Sequence, residues 1–221
     1  MRTVLALAAM VLLGGCNVVV TKAPLFTATD EAGAPPLKAG VWVMDDADCA
    51  FDEHKAMPDW PDCAGGMVFK DGVAISNNRK EGKDHWERQP LILAAGDPRI
   101  GQLLFHMDVS SGAHSSSDQM MYGYAAVRPT KLGPEGRIIG VTYWMVQCGP
   151  PPPPSSKPKD EFKFGTRKPL PGIEMKPGDA LCTTKSIPAL RGAAKASEAW
   201  REKPMNAHWA RSAGPRDLPP G

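Results

Sequence analysis

The chain has 221 residues, with 26 Lys and Arg against 24 Asp and Glu, for a formal charge of +2 at neutral pH. That near balance gives no basic field for nucleic acid and argues against a nucleic-acid partner. The 23 prolines and 22 glycines favour many turns and disfavour long helices.

In chain order, Arg2 and the amino terminus supply positive charge, and Val4 to Leu13 is an unbroken apolar run. Gly14, Gly15 and Cys16 follow. Charge, apolar core and small residues at a cut are the layout of a secretory signal. An apolar run of about 10–14 residues is too short to cross a bilayer as a mature helix. Val18-Val19-Val20 would extend the run into an uncleaved anchor, but Asn17 and the two glycines interrupt it.

Leu13-Gly14-Gly15-Cys16 resembles the lipobox of bacterial lipoproteins. The resemblance covers only the amino-terminal segment. It implies that residues 1–15 are removed as a signal peptide and that the Cys16 thiol carries a diacylglyceryl group, with the new amine acylated. One buried chain anchors marginally and two or more hold stably, at about 0.8 kcal/mol per buried CH₂. Asn17 stands where an aspartate marks inner-membrane retention in that family, so the resemblance favours the outer membrane. The partner it implies is a membrane, reached through the N-terminal lipid.

Residues 16–37 read as the lipidated end and a flexible tether. The stretch Thr27 to Pro36 is rich in Asp, Glu, Gly and Pro and buries too little to offset ordering entropy. Residues 38–202 read as one domain. Its strand signals are Val41-Trp42-Val43-Met44, Met67-Val68-Phe69, Val73-Ala74-Ile75, Leu91-Ile92-Leu93, Gln102 to Met107, Gln119 to Arg128 and Arg137 to Gln147. Turn signals separate them at Lys70-Asp71-Gly72, Gly96-Asp97-Pro98 and Pro129 to Gly136. Four to seven short strands with such loops predict a mainly β, α+β fold. The expected form is an antiparallel meander curled into a small barrel or sandwich that protects its edges.

Gly149 and Pro150 to Pro154 end the last strand and begin a stiff, polar, basic spacer. One C-terminal helix follows. Ser186 caps it, Pro188 suits its first turn, and Leu190, Ala193, Ala194, Ser197 and Trp200 share a face, with Trp200 as the expected anchor. Pro204 stops it. Residues 203–221 read as a flexible tail, with Trp209 able to dock.

Cys49, Cys63, Cys148 and Cys182 remain besides Cys16. An even count in an exported chain predicts two disulfides. A zinc site fits poorly because no Cys-x-x-Cys knuckle is present. Three pairings are open. Cys49–Cys63 with Cys148–Cys182 is the simplest.

Catalytic signals are weak. No Gly-x-Ser-x-Gly elbow exists, and Ser156-Lys157-Pro158-Lys159 matches Ser-x-x-Lys only between prolines that prevent the helix it needs. Asp45, Asp46, Asp48, Asp52 and Glu53 are close enough in sequence to suggest a hard cation, but without EF-hand spacing. His106, Met107, His114, Met120 and Met121 are soft or borderline copper ligands. Adjacent residues on a strand face opposite ways, however, which splits His106 from Met107 and Met120 from Met121. His54, His85 and His208 show no evident partner in the sequence. No catalytic residue and no cofactor are assigned. The expected function is a lipid-anchored binding or structural module whose partners are envelope proteins or cell-wall glycan. Trp42, Trp60, Trp86 and Trp144 are candidates for its binding face. The alternative is a copper-handling lipoprotein using His106, His114, Met120 and Met121.

Overall fold

The Lys70-Asp71-Gly72 turn is present in the computed structural model, which describes residues 17–45, 48–80, 83–110, 116–151, 168–175, 181–200 and 205–220. Asp71 and Gly72 have φ of 52° and 74°. Two successive positive φ values make the type I′ turn that suits strand twist. It joins β3 (Gly65–Lys70) to β4 (Val73–Lys80). Residues 1–16 with Cys16, Asp46, His114, most of the proline run and Ser156 with Lys157 lie outside the described residues.

The other two hairpins also form. β5 (Lys83–Ala94) and β6 (Arg99–Ser110) flank Gly96-Asp97-Pro98. β7 (Ser116–Leu132) and β8 (Ile138–Met145) form the next, with β7 running past Pro129. β2 (Gly40–Met44) pairs with β3 on one side and with β10 (Met205–Arg211) on the other. β10 also pairs with β8, and β6 pairs with β7 along its whole length. These pairings close a barrel of 8 antiparallel strands in the order β6-β5-β4-β3-β2-β10-β8-β7. Of the two expected forms, the barrel is therefore the one adopted.

β10 corrects the expected flexible tail. Ala207 faces the barrel core beside Trp42 and Val141, and Asp217 beyond it is only 1% exposed. The tail is part of the body because its alternating side chains fill the last gap in the ring. The expected tether is corrected too. Val18–Thr21 forms β1, antiparallel to β7 and parallel to β9 (Leu181–Cys182). Phe26 is 2% exposed, and Gln102 on β6 holds it. The Gln102 Oε1 accepts from the Leu25 and Phe26 N–H at 2.8 and 2.9 Å, while its Nε2 donates to the Phe26 carbonyl at 3.0 Å. The polar composition of residues 27–36 conceals the apolar anchors in front of them.

Trp42 explains why β2 is buried on both faces. It points into the barrel with Leu93, Val141 and Ala207. Val41 and Val43 point outward, under Met57 and Trp60 of the loop between β2 and β3. A second outer patch, on β5 to β8, is covered by helix α1 (Ile187–Ser197). Ser186 caps α1, accepting from the Ala189 N–H at 3.3 Å. Leu190, Ala193, Ala194 and Ser197 are buried as expected. The anchor is not Trp200, which is only half-buried, but Trp144, whose Nε1 donates to the Ala194 carbonyl at 2.8 Å. Disulfides join Cys49 to Cys63 within the β2–β3 loop and Cys148, beyond β8, to Cys182 on β9.

Candidate functional site

β10 supplies the polar centre of the candidate site because alternate residues of a strand face opposite ways. Ala207 faces inward, so Asn206 and His208 face outward. His208 lies opposite Gly140 on β8 and Val43 on β2. Gly140 matters here: a Cβ on it would come within 2.9 Å of the Thr130 Oγ1 and 3.1 Å of the Lys131 Cβ. The glycine thus makes room for Thr130 and Lys131, and an open groove of about 480 Å³ lies beside it on the outer wall, lined by Asp45, Thr130, Lys131, Gly140, Asn206 and His208. Register shifts at Lys131 on β7 and between Trp209 and Arg211 on β10 flank it. Bulges of this kind re-aim side chains beside functional sites.

His208 is held from both sides. Its Nδ1 lies 2.7 Å from the Asp45 Oδ1 and its Nε2 lies 2.8 Å from the Glu53 Oε2. With a carboxylate on each nitrogen, both nitrogens donate when the ring is an imidazolium. Burial disfavours the charged ring, but the hydrogen bonds to Glu53 and Asp45 and the charges behind them outweigh it. The ring is held protonated above its ordinary value of 6.5. The Tyr143 hydroxyl, on β8, is pushed up to about 12 by burial and by the charge of Asp45. The Thr142 Oγ1 donates to the Asn206 Oδ1 at 2.7 Å, and Asn206 lines the groove. Lys131 and Thr130 are exposed beside it.

Arg211, farther along β10, ties the same loop down. It donates to the carbonyls of Glu53 and Lys55 at 3.0 and 2.6 Å and pairs with both Asp217 oxygens at 2.6 and 2.8 Å. The acidic run thus has a structural use. Asp45 and Glu53 clamp His208, and Asp52 accepts from the His54 N–H at 3.0 Å. Among the described residues no three of His, Cys, Asp and Glu converge on a metal position.

The Met and His set is divided as strand alternation requires. His106 and Met120 lie directly opposite each other on β6 and β7, while Met121, opposite Phe105, is buried. Met120 is 44% exposed. His106 and Met120 share a slot of about 260 Å³ with His85, Glu87, Pro90 and Leu104. Pro90 makes that slot. The Leu91 N–H donates to Gly72 on the β4 side, so the nitrogen of Pro90 faces β6 without a hydrogen to give. Pairing between β5 and β6 accordingly stops at Leu91 and Leu103.

No known protein family, characterised protein or solved structure matches the chain. Of the four tryptophans considered for a binding face, Trp42, Trp60 and Trp144 are buried, and Trp86 packs against the loop cluster. They fill cores instead. The signal that sequence reasoning missed is His208, whose partners lie 163 and 155 residues away along the chain. The alternation Asn206, Ala207, His208, Trp209 is the local trace of it.

Proposed function

We propose that the chain is a lipid-tethered binding module of a bacterial cell envelope, anchored through Cys16 and more suited to the outer membrane. In this reading it holds an envelope protein or the cell-wall glycan in the groove beside His208. One observation carries the reading: Thr130, Lys131 and Asn206 line one open groove, next to a histidine fixed by two carboxylates. Pockets that orient a ligand combine a concave floor with a few placed polar groups in this manner. Mixed donors and acceptors suit hydroxyl-rich or peptide-like partners. The reading is tested by co-sedimentation of the purified, oxidised protein with isolated cell-wall sacculi. Lys131→Ala removes a charged donor worth roughly 1.5–3 kcal/mol, so bound protein should fall about 10-fold or more. Equal sedimentation of the two proteins would count against the groove.

A second reading is favoured by the slot between β5 and β6. His106 and Met120 face each other there with His85 alongside. Two imidazoles and a thioether suit copper. Submicromolar copper binding that is lost in His106→Ala and Met120→Ala would support it, and binding unaffected by either substitution would reject it.

A further inference from the structure

Asn17 follows directly after the residue read as the lipid carrier, and it is not part of a linker. It is 5% exposed. Its carbonyl accepts from the Cys148 N–H at 2.8 Å, and its Nδ2 donates to the Gly149 carbonyl at 2.8 Å. Val18 begins β1, and Val19 is fully buried in the core under α1. One trans peptide sets successive Cα atoms 3.8 Å apart, about a single residue's reach. A lipid on Cys16 therefore has almost no chain with which to stand the body off from the headgroups.

We propose that the barrel is seated directly on the membrane, with the surface around Asn17, Gly149, Pro150 and Lys168 against the lipid headgroups. This inference rests on the lipid reading of Cys16. The contacts that define the seat are local. The Leu170 N–H donates to the Cys148 carbonyl at 2.9 Å, which ties the chain, two residues after Lys168, next to Gly149, and Pro150 and Lys168 are exposed. The occupant is a lipid surface because the only chain between Asn17 and the bilayer is Cys16 itself. The seat also orients the groove. Gly140 lies near the start of β8, whereas Gly149 lies beyond its end. At about 3.4 Å per residue, the stretch from Gly140 to Met145 alone is about 17 Å. The groove thus lies at the part of β8 remote from the seat, on the side wall of the barrel.

The test uses the full lipoprotein reconstituted into vesicles of neutral phospholipid carrying a headgroup-linked quencher. A small fluorophore is attached through a clickable amino acid at Pro150 or at Thr130, which leaves the four disulfide cysteines untouched. A label at Lys168 serves if the Pro150 variant does not fold. Quenching should be several-fold stronger at Pro150 or Lys168 than at Thr130. Inserting about ten Gly-Ser residues between Cys16 and Asn17 adds roughly 16–19 Å of reach and should erase most of the difference. Equal quenching at all positions, in protein whose Cys16 is acylated by mass spectrometry, overturns the seating alone. An unacylated Cys16 in the native membrane fraction overturns both the seating and the lipid reading.

Discussion

Replacing Asp217 with alanine should be the most damaging single change in the carboxyl-terminal segment. Asp217 is 1% exposed. It accepts from the Arg211 guanidinium at 2.6 and 2.8 Å, from the Met57 N–H at 2.9 Å and from the Gly214 N–H at 2.7 Å. Removing one partner of a buried pair costs about 3–5 kcal/mol because the other charge stays buried. Arg211 is itself only partly buried, at 19% exposed, and keeps the Glu53 and Lys55 carbonyls, which places the expected cost at or below the lower end, about 3 kcal/mol at most. For a chain of this size that lowers Tm by at most roughly 6–12 °C. The assay is thermal and urea unfolding followed by circular dichroism at pH 7. Asp97→Ala is the control, since Asp97 is 82% exposed beside Arg128 and should cost about 0–1 kcal/mol. The pH dependence has a definite sign. Burial alone would raise the Asp217 carboxyl, but the Arg211 contact and the two N–H groups hold it below its ordinary 3.8. Its contribution is thus present above about 3.9 and fades as pH falls through the lower folded value. Wild type and variant should converge only in strong acid. A loss below about 1 kcal/mol at pH 7 would refute the reasoning, since such a loss belongs to exposed pairs.

Other outcomes follow from the same contacts. The Cys49–Cys63 and Cys148–Cys182 bridges span 14 and 34 residues, so paired Cys→Ser variants should lose about 3 and about 4 kcal/mol in urea titrations. Gly66→Ala would set a Cβ 2.5 Å from the Trp60 ring and 2.7 Å from the Trp42 carbonyl. It should cost about 1–3 kcal/mol by overpacking, with faster amide exchange across Met57 to Trp60. The His208 clamp is complete below about 6.5 and is lost as pH rises through the elevated value. Amide protection at Glu53 to Lys55 should therefore fall above that point in wild type but show no such step in His208→Gln. A pH-independent wild type would contradict the clamp.

Much of the architecture could be read from local signals. Asp71-Gly72 fixes a turn by backbone geometry alone, Ser186 and Pro188 mark a helix start, and each cysteine pairs with its nearest neighbour along the chain. The two ends differ from their local signals for a physical reason. Val18-Val19-Val20-Thr21 looks like the continuation of the apolar run Val4 to Leu13. It becomes a strand only because β7 and β9 offer it edges. Met205–Arg211 sits among Pro204, Gly214 and Pro215, and its strand forms because β2 and β8 would otherwise leave the ring open. The candidate groove follows from that closure. His208 acquires Asp45 and Glu53 only when β10 docks, so no short-range pattern could announce it. Trp144 rather than Trp200 anchors α1: it meets the helix at the Ala194 carbonyl, whereas Trp200 lies past the end of α1 in a 3-10 turn.

Site-specific photo-cross-linking in intact cells tests the binding reading most directly. A benzophenone amino acid at Lys131 samples the groove, and the same group at Lys195, on the exposed side of α1, samples a separate part of the outer surface. The account predicts a discrete, light-dependent adduct from Lys131, to an envelope protein or to cell-wall material released by muramidase, and none from Lys195. An adduct at Lys195 with none at Lys131 would contradict it.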